Sequence, residues 1–175
     1  MRNLLIATAA LSAFAAPGAM AQSVSAPQIY GTLGYSQLDA EGLDFGAVTG
    51  RLGAKFTPHL GIEGEASFGV TDEEVALGIP GTTIEQKYDV GAYVVGYLPI
   101  NSSLELFGRV GYGTTEFEAT ATGVTTDESF DGLAYGAGGN WFFDENNGVR
   151  ADWTRRDFGD DGEADVWSLS YIRRF

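Results

Sequence analysis

The chain has 175 residues, with Lys+Arg 10 against Asp+Glu 24 and a formal net charge of -14, so one domain is the default and the basic footprint of a nucleic-acid binder is missing. Cysteine is absent and histidine occurs once, which removes disulfide frameworks, thiolate metal sites and most imidazole catalysis. Twenty-five glycines and 13% aromatic residues point to strands and turns rather than a helix bundle.

The N-terminus has the layout of an export signal. Met1-Arg2-Asn3 is a short positive start, Leu4 to Ala16 is apolar, and Pro17-Gly18 breaks the run. Ala19-Met20-Ala21 then supplies the small-x-small pattern cut by a signal peptidase, so residues 1–21 are predicted to be a cleaved signal peptide with Ala19 and Ala21 at the cleavage site. Residues 22–27 are a short lead-in. No later stretch approaches the roughly 18 apolar residues of a membrane helix; the best, Val94 to Ile100, is interrupted by Gly96 and Pro99. A membrane crossing downstream therefore has to use strands closed into a barrel.

From residue 28 onward the chain alternates with period two, the pattern of strands whose two faces meet different surroundings. A first strand is expected over Ile29 to Leu38. In the second, Val48, Gly50, Leu52, Ala54 and Phe56 oppose Thr49, Arg51, Gly53 and Lys55; in the third, Leu60, Ile62, Gly64, Ala66 and Phe68 oppose Glu63, Glu65 and Ser67. Tyr88 to Leu98, Leu106 to Tyr112, Leu133 to Trp141, Val149 to Trp153 and Trp167 to Tyr171 continue the pattern, which gives eight strands over 28–175. Tight connections at Thr57-Pro58-His59, Pro99 to Ser103 and Asp144 to Asn147 alternate with longer ones at Asp39 to Asp44, Thr71 to Ile84, Glu118 to Phe130 and Phe158 to Ala164. That rhythm is expected when hairpins turn at one membrane surface and loops project from the other. The predicted fold is all-β: a closed, antiparallel, eight-stranded up-and-down transmembrane barrel, with both termini on the short-turn side.

The charged face carries Arg51, Glu63, Glu65, Asp89, Glu105, Arg109, Arg150 and Asp152 among Gly, Ser and Thr. Mixed charges between small residues suit the cramped interior of an eight-stranded barrel, where buried charges have to pair. The apolar face has small or branched residues mid-strand. Its expected girdles are Tyr30, Phe56, Trp141 and Phe175 near the turns and Tyr88, Tyr135, Trp153 and Trp167 near the loops. A soluble ligand-binding barrel would reverse the faces.

The final strand, Trp167-Ser-Leu-Ser-Tyr171-Ile-Arg-Arg-Phe175, resembles the assembly signal of the small eight-stranded outer-membrane barrels of Gram-negative bacteria, the OmpA-like and OmpX-like "porin family" proteins. The likeness rests on Trp167, Leu169, Tyr171 and the terminal Phe175; Arg173 departs from it, standing where that family has an apolar residue. The resemblance implies a location in the cell outer membrane among its lipids and lipopolysaccharide, insertion by the barrel-assembly machinery, and no reaction; a monomer is expected.

Candidate sites are few. Arg51, Glu63, Glu65, Asp89, Arg109, Arg150 and Asp152 are expected to form an interior network, with a narrow conducting pore as the alternative reading. His59 sits in a turn beside Pro58 without a partner nucleophile. The glycine-rich runs at Gly111 and Gly136 precede no helix and so are no phosphate cradle. The acidic loops read as solvated charge runs, and Asp157 to Asp161 lacks the spacing of a defined calcium loop. No catalytic, cofactor or metal residue is expected, and no loop partner is named.

Overall fold

The computed structural model describes residues 26–40, 43–70, 72–74, 83–121, 124–159 and 162–175. The expected signal peptide, Ala19 and Ala21 with it, lies outside the described residues, as do Glu41, Asp160 and Asp161. Among the described residues no helix is long and apolar enough to cross a membrane.

Eight long strands follow one another: β1 (Gln28–Ala40), β2 (Leu43–Thr57), β3 (Leu60–Gly69), β4 (Thr83–Pro99), β5 (Leu104–Ala121), β6 (Val124–Phe142), β7 (Asn147–Asp157) and β8 (Glu163–Arg174). A three-residue strand, Asp72–Glu74, adds to β4 at Asp72↔Glu85. Every long strand pairs antiparallel with its sequence neighbours. The sheet then closes between β1 and β8, in a register set by Tyr30↔Arg174 and Leu33↔Tyr171. Closure gives each of the eight long strands a partner on both sides, as hydrocarbon surroundings require of a spanning sheet.

The strand faces follow from the alternation. Leu33, Leu52, Val94, Val110 and Leu169 lie exposed on the outer surface, while Thr49, Arg51, Glu63, Glu65, Asp89, Arg109, Arg150 and Asp152 are buried inside. The apolar face is therefore the outer one, and a soluble barrel built around an apolar ligand is excluded. Trp141, Phe143 and Phe175 stand on the outer surface at the turn end, Tyr35, Tyr88, Tyr135 and Trp167 toward the loop end. Rings with one apolar and one polar side favour the two membrane–water interfaces, so this arrangement brackets the lipid-facing band.

Tyr30 departs from the girdle expected of it. It is buried in the lumen, in step with Thr32 and Ser36, because its hydroxyl finds partners only inside: it donates to Glu63 at 2.6 Å and lies 2.7 Å from the Tyr97 hydroxyl. Gly53 on the neighbouring strand makes room for the ring, since a Cβ there would lie 2.2 Å from Tyr30 Cζ.

Three of the longer connections depart from expectation, the one before β4 through the strand Asp72–Glu74. Residues 118–121 and 124–130 are paired strand: β5 and β6 run together as far as Ala121↔Val124. At 18 and 19 residues they exceed the roughly 10 residues a tilted strand needs to span hydrocarbon, so this hairpin continues beyond the belt. Its β-branched content explains the ladder, since Thr and Val favour a pleated surface over a loop. The β1–β2 hairpin is likewise tight, with Ala40↔Leu43 as its last pair.

The short turns are closed by side chains accepting from backbone. Asp144 Oδ1 accepts from the N–H groups of Asn146 at 2.8 Å and Asn147 at 2.6 Å. Asn101 Oδ1 accepts from Ser103 at 2.9 Å and Leu104 at 2.8 Å. Both are the local turn chemistry for which Asn and Asp are favoured. His59 is a turn residue too, its Nδ1 lying 3.2 Å from the Tyr97 carbonyl oxygen.

Candidate functional site

The barrel interior is a layered column of side chains. At its centre four guanidinium groups, from Arg51, Arg109, Arg150 and Arg156, meet four carboxylates, from Glu63, Glu65, Asp89 and Asp152. Alternation on β2, β3, β4, β5 and β7 points each of these eight side chains inward, and closure brings them together from distant parts of the sequence.

Glu63 is the hub nearer the turn end. It accepts from Arg150 Nη1 at 2.6 Å and Nη2 at 3.1 Å, from Arg109 Nη1 at 3.0 Å and from the Tyr30 hydroxyl. Glu65 serves Arg51, Arg109 at 2.8 Å and Arg156 at 2.8 Å, and also accepts from the Tyr93 hydroxyl at 3.1 Å. Asp152 faces Arg51 at 3.3 Å and Arg150 at 3.1 Å; Asp89 holds Arg156 at 2.7 Å and accepts from Thr115 at 2.8 Å. Rings complete the shell: Arg109 lies 4.3 Å over Tyr93, and Arg150, which is 0% exposed, lies 4.0 Å over Phe107. Such burial costs several kcal/mol for each isolated ion and is tolerated only when every charge is met by another and by hydrogen bonds. Four against four meets that condition.

All seven charged residues singled out in the sequence as an interior network converge here. Arg156 was missed, although it continues the inward row of Arg150, Asp152 and Thr154. The tyrosines at 30, 93 and 97 were missed as network members as well. Parity places Tyr93 and Tyr97 on the face of Asp89; nothing local shows that their hydroxyls reach Glu65 and Tyr30.

Above the charges, toward the loop end, hydroxyl groups link four strands: Ser36 to Thr49 at 2.7 Å, Ser36 to Ser168 at 2.8 Å and Thr49 to Ser67 at 2.8 Å. Leu38, Phe45, Ala164 and Val166 form an apolar plug beyond them, with Phe158 against it. Below the charges a second apolar layer contains Tyr30, Val95, Tyr97, Phe107, Phe142 and Ile172. Between the charged layer and the hydroxyl layer, a void of about 10 Å³ lined by Arg51, Glu65, Asp89 and Arg156 has room for about one water. The described side chains fill the lumen in successive layers. Each of the four carboxylates of the cluster is engaged by arginine. Among the described residues no group of His, Asp and Glu is placed to hold a metal ion.

The terminal-strand residues Trp167, Leu169, Tyr171 and Phe175 all lie on the outer surface, in one row, with Phe175 73% exposed. The Phe175 N–H donates to the Ile29 carbonyl at 2.9 Å, fastening the last residue to the first strand. Arg173 lies outside as well, its guanidinium 5.7 Å from the Phe175 ring.

The model of the family described as "Outer membrane protein beta-barrel domain" matches residues 6–175. The chain belongs to this family. Its place is the outer membrane. Solved structures share the fold at low identity. Ail, the attachment invasion locus protein of Yersinia pestis, solved with the heparin analogue sucrose octasulfate, is 22% identical, with a TM-score of 0.64 over 86% of this chain and 100% of that one. Neisserial surface protein A is 12% identical, with a TM-score of 0.63 over 88% of this chain and 100% of that one. The N-terminal barrel domain of Pseudomonas aeruginosa OprF is 12% identical, with a TM-score of 0.62 over 85% of this chain and 99% of that one. At these identities the likeness establishes the fold alone. No curated protein matches the chain by sequence.

Proposed function

We propose that this outer-membrane barrel is non-catalytic and non-conducting, and that its role is structural or exerted at the cell surface through the connections at its loop end. The observation carrying this reading is the filled lumen, in which a balanced charge cluster is capped on both sides by apolar layers. With the interior committed to stability, interaction is left to the two ends and the outer face. The loop end faces outward in this reading, the three tight turns and both termini face the periplasm, and residues 1–21 are removed on export. The terminal row Trp167, Leu169, Tyr171 and Phe175 is the feature the barrel-assembly machinery reads, and the protein works as a monomer among outer-membrane lipids and lipopolysaccharide.

Ail was solved with a sulfated polyanion, but that ligand chemistry is not carried over: a chain of formal charge -14 repels a polyanion at long range. A surface role requires the long connections to be outside the cell, and single cysteines test it. On whole cells an impermeant thiol reagent should label G78C and T122C and spare N101C. Labelling of N101C alone would invert the topology and remove the surface role.

A further inference from the structure

Charge is balanced through the middle of the lumen but not at its turn-end mouth. A cavity of about 450 Å³ opens there, lined by Lys55, Glu105, Arg174 and Phe142 within an apolar rim that includes Phe56 and Leu104. The volume lies within the range of small-molecule sites, roughly 300–1,000 Å³. Two cations share one carboxylate. Both Glu105 oxygens are already engaged, Oε2 by Lys55 and Oε1 by Asn140 Nδ2 at 3.2 Å. Arg174 Nη2 comes no nearer than 3.9 Å, beyond hydrogen-bond distance. Its guanidinium is stacked over the Phe142 ring at 3.4 Å. The stack fixes the plane of the fork, and no hydrogen bond runs from that fork to the described residues. An oriented guanidinium with its donors unspent, on the wall of a cavity with one surplus positive charge, is the arrangement that receives a planar or tetrahedral oxyanion.

We propose that this mouth is a binding site for a single anionic head group, a carboxylate or a phosphate, carried on a short apolar body. Arg174 donates to the oxyanion, Lys55 adds the second positive charge, and the apolar rim takes the attached chain. Glu105 sets the affinity by competing for both cations. The inference stands on the mouth alone and is independent of whether the barrel conducts or which way it faces.

The test is NMR titration of the folded, full barrel in a non-ionic detergent, observing the Arg174 side-chain N–H and the backbone amides of Asn101 and Ser102. Hexanoate and inorganic phosphate should each give saturable shifts there, and hexanol none. R174Q should weaken hexanoate binding about tenfold or more, the loss of one charge-assisted hydrogen bond to a desolvated anion. E105Q, which removes the competing carboxylate, should strengthen it; this gain cannot arise from damage to the fold. Nanodiscs separate the two sources of the anion. If phosphatidylglycerol discs suppress the hexanoate shifts relative to phosphatidylcholine discs, the natural occupant is a lipid head group, and if they do not, it is a soluble anion. Shifts that never saturate, equal shifts with hexanol, or an R174Q protein that still folds and binds like the wild type would overturn the proposal.

Discussion

Replacing Glu63 by glutamine keeps the volume and one acceptor oxygen while removing the charge that three guanidinium groups approach, Arg150 at 2.6 Å, Arg109 at 3.0 Å and Arg51 at 4.0 Å. The cluster would then hold four cations against three anions, all on buried side chains. Breaking a buried pair by removing one partner costs about 3–5 kcal/mol, and the lower end applies here, since the glutamine oxygen still accepts from Tyr30 or one arginine. E63Q should therefore lose about 3 kcal/mol, and R150Q, which takes one of the arginines from Glu63 and from Asp152, a similar amount. The double variant restores three against three, so its loss should fall short of the summed single losses by about 1–3 kcal/mol, the coupling expected of contacting residues. Urea unfolding in lipid vesicles, followed by the fluorescence of Trp141, Trp153 and Trp167, measures all three. Single losses under 1 kcal/mol, or strict additivity in the double variant, would refute the view that these charges are held by mutual compensation.

Three further outcomes are expected. G53A places a Cβ 2.2 Å from Tyr30 Cζ, against a ring pinned by Glu63 and Tyr97, and should cost about 1–3 kcal/mol by overpacking in the same unfolding experiment. Deletion of Phe175 should reduce the folded, heat-modifiable fraction in cells while barely changing refolding of purified protein into detergent; an equal loss in both would make the residue a stability element rather than a recognition signal. The Asp144 carboxyl is held below the ordinary aspartate range by the Asn147 side-chain amide and the backbone N–H groups of Asn146 and Asn147. Its contribution to the turn is therefore complete above the unfolded value of about 3.9 and lost as pH falls through the lower folded value; the Asn146 and Asn147 amide shifts should move only in that acidic window.

Much of this molecule can be read from parity. Because side chains alternate strictly along a strand, one inward charge on each strand assigns that strand's whole row, and the seven network residues follow from five such rows without any knowledge of their partners. What parity cannot supply is pairing across the barrel. Arg150 and Glu63 lie far apart in sequence and meet only through closure, so their contact is a property of register and strand number. Tyr30 shows how a composition rule misleads: an aromatic near a strand end was assigned to the girdle, although its neighbours two and six residues on, Thr32 and Ser36, mark an inward row. Arg156 stands near the loop end of β7, past the Val149 to Trp153 stretch in which apolar and charged residues alternate cleanly. The β5–β6 extension was hidden by its Glu and Asp content, which reads as loop until strand propensity is weighed against charge. The mouth around Arg174 has no sequence signature, since its surplus charge arises from three residues on three strands.

Single-channel recording in planar bilayers tests the central claim most directly. With the lumen blocked by the compensated cluster and its apolar layers, the wild-type barrel should insert and show no stable conductance steps in high salt at moderate voltage. Reproducible, ohmic steps from folded, heat-modifiable protein would mean that ions pass the Arg51–Glu65 layer, and would contradict the closed interior on which the proposed role depends.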